Sequence, residues 1–163
     1  GSVGEVAVRG ENVFGGYLGG VAPEALRDGW LLTGDLGYLD GDGYLFLTGR
    51  RRELINRAGE KIAPREVEEV LHRRPEIETA CVFGVPDPLY GEEVVAFIEL
   101  RSGRNFDAQA IGAFCREHLA RFKTPKRIFQ LHDWPRGPNG KIQRRRLLDL
   151  YRRFTSSNER SST

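Results

Sequence analysis

The hydrophobic period of this chain changes near Arg50, and that change constrains the fold more than any other feature. Before it, short alternating runs are separated by glycines: GEVAVRG, DGWLLTGDLGYLD and GDGYLFLTG. Period-two alternation places successive side chains on opposite faces of a strand. Gly41-Asp42-Gly43 supplies the positive φ that a tight hairpin needs. Residues 1–51 are therefore predicted to be β-rich. About fifty residues of strand cannot bury both faces of a sheet, so this segment is expected to complete a sheet whose remainder lies outside it. A start at Gly1-Ser2 with no Met reads as a cloning remnant and points the same way, to an excised fragment.

From residue 52 the order reads α+β. Pro64 opens a helix, PREVEEVLHRRP, whose Val67, Val70 and Leu71 share one face and which Pro75 ends. Strands are predicted at ETACVFGVP and EEVVAFIELR. A helix follows over 107–121, with Ile111, Phe114, Cys115, His118 and Leu119 near one face. An extended KRIFQLHDW, the turn GPNGK and a short helix KIQRRRLLDLYRRF come next. The predicted fold is thus a small α+β domain over 52–150, a short sheet flanked by helices, and residues 151–163 read as a polar tail ending in SSNERSST.

Charge excludes some functions. Twenty-five basic against twenty-three acidic residues leave a formal charge of +2, too balanced for nucleic-acid or membrane binding by bulk electrostatics. No apolar run approaches the length of a membrane span, and no signal peptide is present. Cys81 and Cys115 sit in apolar stretches with no CxxC and no nearby histidine ligand pattern, which argues against a zinc site or a disulfide framework and for a cytoplasmic chain with two buried thiols.

The turn GPNGK, residues 137–141, ends on a lysine whose backbone is fixed by Pro138 and two glycines. It is not a phosphate-cradling loop of the form GxxxxGK[ST], because Pro135 and Ile142 stand where Gly and Ser/Thr are required. From these residues alone Lys141 reads first as a solvated turn lysine, because turns collect Gly, Pro and Asn for backbone reasons.

Five ordered motifs add context: WLLTGD at 30–35, GRRRELINRAGEKIAPREVEEVL at 49–71, GVPDPLYGEEVVAF at 84–97, ARFKTP at 120–125 and PNGK at 138–141. In order and spacing the chain resembles the carboxyl-terminal part of the adenylate-forming enzymes, acyl-CoA synthetases in particular. The resemblance implies that 1–51 is the β-rich end of a large AMP-binding domain and that 52–150 is a mobile carboxyl-terminal lid. It further implies a parent that adenylates a carboxylic acid with Mg-ATP and passes the acyl group to CoA or to an acyl carrier protein, with neither ATP nor CoA tightly bound by the fragment.

Site residues carry over by position. The resemblance implies that Asp35 binds the ribose hydroxyls of ATP through charge-assisted hydrogen bonds, and that Arg50 contacts ribose or phosphate. It makes Lys141 the catalytic lysine of adenylation, a preorganised charge beside the reacting phosphoryl group. The hinge position, usually Asp or Lys in the family, is Arg52 here. Gly59, Glu60 and Lys61 would line the pantetheine channel, with Lys61 meeting a CoA phosphate. No resident metal ion is implied. Plainer readings stand beside these: Asp35 as a turn cap, Arg50 as a surface arginine, Gly59 as turn punctuation, and the run Arg144, Arg145, Arg146, Arg152 and Arg153 as a solvated face rather than a site for CoA phosphate or an acidic carrier. A non-catalytic docking module is the alternative for the whole. ELINRAGEKI resembles the members that activate oxalate and malonate, although the acyl pocket itself lies outside this chain.

Overall fold

The computed structural model describes residues 1–15 and 23–160. Residues 16–22 of the β-rich opening and the last three of the expected tail lie outside the described residues.

The opening segment forms a four-stranded antiparallel sheet. Strand β3 (Trp30–Leu39) is its centre, with β1 (Gly4–Val8) along one edge and β2 (Leu26–Arg27) and β4 (Leu45–Arg50) along the other. The predicted hairpin joins β3 to β4, where Asp40 Oδ1 accepts from the N–H groups of Asp42 and Tyr44 at 3.0 and 2.9 Å, and Gly43 takes φ +85°. Little covers this sheet. Tyr44, Leu45, Phe46 and Leu47 are 45–69% exposed, although the rings of Tyr38 and Phe46 stack at 5.3 Å.

The second sheet is mixed and has five strands. The long hairpin of β7 (Ile77–Asp87) and β8 (Gly91–Leu100) is its spine. The short hairpin of β5 (Ile55–Arg57) and β6 (Glu60–Ile62) and the parallel β9 (Arg127–Gln130) both join β8. The sequence predicted the β7–β8 spine to within about two residues at each end. Its continuous apolar run has a simple cause: both faces are buried. Ala80, Val82, Val94, Ala96 and Ile98 face α1 (Pro64–His72) and α2 (Ala108–His118), meeting Val67, Leu71, Ile111 and Cys115. Cys81, Phe83, Val85, Val95 and Phe97 face the other way, toward α3 (Arg144–Arg160), and meet Leu147.

Local signals explain the helix ends. Pro64 stands in the first turn of α1, where its missing N–H costs nothing. Asp107 caps α2 by accepting from the N–H groups of Gln109 and Ala110 at 3.0 and 2.9 Å. Helix α2 stops at His118, short of the expected 121, because Leu119 is extended and a 3₁₀ turn, Arg121–Lys123, leads into Pro125.

The last helix departs from expectation at both ends. It begins at Arg144 rather than Lys141, because residues 136–142 close a small hairpin of their own. It then runs through Arg160, past Phe154, where the predicted helix KIQRRRLLDLYRRF ends and the polar SSNERSST begins. The reason is aromatic: Phe154 packs on Phe97 and Phe129 at 5.6 and 5.5 Å between centroids, and Tyr151 meets Phe129 edge-on at 5.9 Å.

Candidate active site

Asp35 and Arg50 face each other directly across β3 and β4. Arg50 Nε donates to Asp35 Oδ1 at 2.8 Å. Thr33 sets up this corner by donating to the Val6 carbonyl at 2.9 Å and accepting from the Asp35 N–H at 3.1 Å. Gly34, between them, adopts φ +74°. With Arg50 47% exposed, the pair adds about 0–1 kcal/mol to stability; its consequence is orientation of a carboxylate. A cleft lined by Thr33, Gly34, Arg50, Arg51 and Arg52 opens beside it.

The link to the second sheet is a 3₁₀ turn, Arg51–Glu53. Its neighbouring side chains are tied in opposite directions. Arg51 donates to Glu5 in β1 at 2.9 Å, whereas Glu53 is paired with Arg144 at 3.3 Å. Arg52 lies between them, exposed, and makes no hydrogen bond or ion pair among the described residues.

The β5–β6 hairpin turns through Ala58 (φ +51°) and Gly59 (φ +92°), the conformation of a type I′ turn. A Cβ added at Gly59 would meet nothing within 4 Å, so glycine serves the backbone conformation here while leaving the approach open. Glu60 and Lys61 are exposed. The hairpin is clamped at its base. Arg57 donates to both oxygens of Glu93 at 2.7 and 3.1 Å, its guanidinium lies 4.0 Å from the centre of the Tyr90 ring, and Ala58 N–H donates to the Tyr90 carbonyl at 2.8 Å. Glu93 is the one buried charged residue among those described. Burial pushes its carboxyl up, but hydrogen bonds from Arg57 and the Val94 N–H, with the charges of Arg57 and Lys126, outweigh that and hold it below the ordinary carboxylate range.

Lys141 ends a turn held by its own backbone. Gly137 N–H donates to the Lys141 carbonyl at 2.8 Å and Gly140 N–H to the Gly137 carbonyl at 2.9 Å; Asn139 Oδ1 accepts from the Lys141 N–H at 3.3 Å. Arg136 donates to the Gly140 carbonyl at 2.9 Å. The Lys141 side chain is exposed and its ammonium has no ion-pair partner among the described residues. Asp35 and Arg50 thus come together, while Lys141 and Gly59 stand on separate turns.

Arg144 corrects the reading of the basic run as one solvated face. It is 29% exposed and reaches inward to the Val82 carbonyl, Cys81 Sγ at 3.1 Å, Glu68 Oε1 at 2.9 Å and Glu53. Desolvation would lower its pKa, but Cys81, which ionises only far above neutral pH, and the Glu68 and Glu53 carboxylates reverse the shift. Burial pushes the Cys81 thiol up to about 12, only partly opposed by Arg144, so it is inert at neutral pH. Arg145, Arg146, Arg152 and Arg153 remain exposed. Glu93 and the clamping roles of Arg57 and Arg144 escaped the sequence reading, in which Arg144 was one member of a basic run. A lone glutamate inside the apolar run of β8 was the available signal for the first clamp.

A profile of the AMP-binding enzyme C-terminal domain matches residues 66–141. Over those residues the chain carries the C-terminal domain of the AMP-binding enzymes. Within that family it is 48% identical over 154 residues to the sulfoacetate–CoA ligase of Cupriavidus necator, covering 91% of this chain and 30% of that protein. It is 49% identical over 146 residues to the oxalate–CoA ligase of Arabidopsis thaliana, covering 87% and 28%. The chain thus spans less than a third of the length of these relatives, at their carboxyl-terminal end. Among solved structures, ATP-bound MatB from Rhodopseudomonas palustris superposes with a TM-score of 0.86 at 33% identity, over 93% of this chain and 31% of that one. The apo structure of the same protein matches less well, with a TM-score of 0.69 at 34% identity over 93% and 31%. No helix among the described residues is long and apolar enough to cross a membrane.

Proposed function

We propose that this chain is the carboxyl-terminal part of an ATP-dependent acid–thiol ligase, in which 1–51 completes the large AMP-binding domain and 52–150 is the lid. The observation that carries the reading is Lys141: an exposed ammonium with no ion pair among the described residues, mounted on a backbone-braced turn. A core gains nothing from such a lysine, whereas a site on a neighbouring domain gains a positioned charge. The bare apolar stripe of β4 supports a large domain packed against the first sheet.

In the first half reaction a carboxylate oxygen attacks the α-phosphorus of ATP, the bond to pyrophosphate breaks, and acyl-AMP forms. Asp35 accepts from the ribose hydroxyls through the oxygen that Arg50 leaves unoccupied, and Arg50 holds the carboxylate in that orientation. Lys141 stabilises the negative charge gathered on the phosphoryl and carboxylate oxygens. Magnesium arrives with the ATP phosphates; no cluster of His, Cys, Asp or Glu suited to a metal occurs among the described residues.

In the second half reaction the lid turns about Arg52, withdrawing Lys141 and presenting the β5–β6 hairpin. The CoA sulfur attacks the acyl carbonyl, the bond to AMP breaks, and the thiol proton is released. Gly59 leaves room for the pantetheine arm, Glu60 lines its path and Lys61 meets a CoA phosphate. The better match to the ATP-bound than to the apo form of one relative supports a lid with more than one position, the adenylating one being that of this chain. The relatives named above are CoA ligases, which favours CoA over a carrier protein as acceptor, and a cytoplasmic location follows from those substrates. Their acids, sulfoacetate and oxalate, favour a small doubly charged acid as substrate.

Pyrophosphate release by the full-length ligase, measured against short, aromatic, dicarboxylic, sulfonated and long-chain acids with and without CoA, tests this reading. Release that depends on a small dianionic acid and ends in its CoA thioester is the expected result. No release with any acid, from a folded protein that binds ATP, would leave a docking module instead.

A further inference from the structure

The turn that carries Lys141 is rigid in itself, yet its internal hydrogen bonds fix only its shape. Its place is set at its base. Residue 142 bridges back to Arg136, Gln143 N–H donates to the Pro135 carbonyl at 2.8 Å, and the next residue, Arg144, opens α3. Arg144 spreads the five donors of one guanidinium over three elements: Val82 in β7, Glu68 in α1 and Glu53 beside the interdomain link. Glu68 is fixed in turn, because its Oε1 also accepts from the Val82 N–H at 2.8 Å. Along the link, Arg50 and Arg51 are tied to the first sheet, Glu53 is tied to Arg144, and Arg52 alone is untied.

We infer that Arg144 is a positioning residue that joins the Lys141 turn to the lid side of the hinge, so that Glu53 and the Lys141 ammonium move as one body when the chain rotates at Arg52. The inference rests on the reading of Lys141 as the adenylation lysine. A rotation centred on Arg52 separates neither Arg50 from Asp35 nor Arg51 from Glu5 on one side, and neither Glu53 nor Glu68 from Arg144 on the other. The swing of the lid is thereby transmitted to Lys141 through one side chain rather than through the loop alone. A misplacement of about 1 Å at a reacting centre costs roughly 10²-fold in rate, so slack in this linkage reaches the chemistry although Arg144 does not touch substrate.

The test compares half reactions in the full-length ligase. Arg144→Gln is expected to slow acyl-AMP formation about 10²-fold in kcat with little change in KM for ATP or acid. Thioester formation from supplied acyl-AMP should be unchanged. Arg144→Lys should not rescue, because one ammonium cannot span Glu68 and Glu53 as a guanidinium does. Glu53→Gln, at the less buried end of the network, should show the same selective loss in smaller measure, and carries the test if Arg144→Gln does not fold. Equal loss in both half reactions, loss in KM alone, or full rescue by lysine would overturn the inference. Lys141→Ala, run in parallel, separates two failures. If it adenylates normally, the reading of Lys141 falls and the inference with it; if it is slow while Arg144→Gln and Glu53→Gln are not, only the inference falls.

Discussion

Two turns of this molecule look alike and are braced differently. The β5–β6 turn and the Gly137–Lys141 turn each use a left-handed glycine, Gly59 and Gly140, and each is anchored by an arginine at its base. Arg57 closes on Glu93 and Tyr90, which belong to β8 and to the loop just before it, so its clamp stays within one sheet. Arg144 reaches across α1, β7 and the interdomain link. A clamp inside one sheet fixes a surface; a clamp across elements fixes where that surface stands relative to the rest. The first suits a channel wall and the second a charge that must arrive and withdraw.

The comparison breaks most sharply at the lysine. Lys141→Ala should lose about 2.7–4 kcal/mol of transition-state stabilisation, roughly 10²–10³-fold in acyl-AMP formation. Thioester formation from supplied acyl-AMP should persist, as separate assays of the two half reactions would read. Loss of neither activity would reduce the turn to surface decoration.

Removing the other brace acts on stability first. Glu93→Ala strands Arg57, which is 20% exposed, and should cost about 2–3 kcal/mol, seen as a lowered denaturant midpoint. Thioester formation should suffer more than adenylation, because the β5–β6 turn loses its base. A variant of unchanged midpoint would show the clamp to be ornamental.

A smaller effect is expected at Gly59→Val. A β-branched residue at φ +92° strains the turn by about 1–2 kcal/mol and crowds the open approach beside it. Its signature is a thioester half reaction slowed while acyl-AMP formation is kept. The reverse pattern would exchange the roles of the two turns.

Acid provides the mildest probe. Glu93 is held below the ordinary carboxylate range in the folded chain, so it contributes stability that is fully present above that range and is lost as pH falls through the folded value. Glu76, lowered by its own backbone N–H and by Arg74, acts in the same direction. Thermal midpoints should therefore decline as pH drops below the carboxylate range, and less steeply in Glu93→Gln. Equal slopes would place the acid sensitivity elsewhere.

These braces mark the limit of what the sequence discloses. Strands β7 and β8 and helix α1 are legible because their signals are local: an apolar run buried on both faces, and prolines that open and close a helix. The α+β class and the order of motifs follow from the same signals. The Arg57–Glu93 pair joins residues 36 positions apart, and Arg144 meets Glu68 across 76. No periodicity connects such positions, and a run of arginines gives no sign of which one turns inward. What holds the far end of α3 was hidden, because the partners of Tyr151 and Phe154, the rings of Phe97 and Phe129, are identified only by the fold.

The uncovered strand β4 also has a consequence for anyone who handles this piece on its own. Tyr44 and the first three residues of β4, Leu45 to Leu47, are exposed apolar side chains at the start of a strand that pairs only with β3 among the described residues. Such an edge recruits whatever strand is nearest, and in a concentrated solution of one protein that strand belongs to another copy. A mild detergent or a fused partner that screens the stripe would preserve the isolated chain in solution better than any change to its well-packed second sheet.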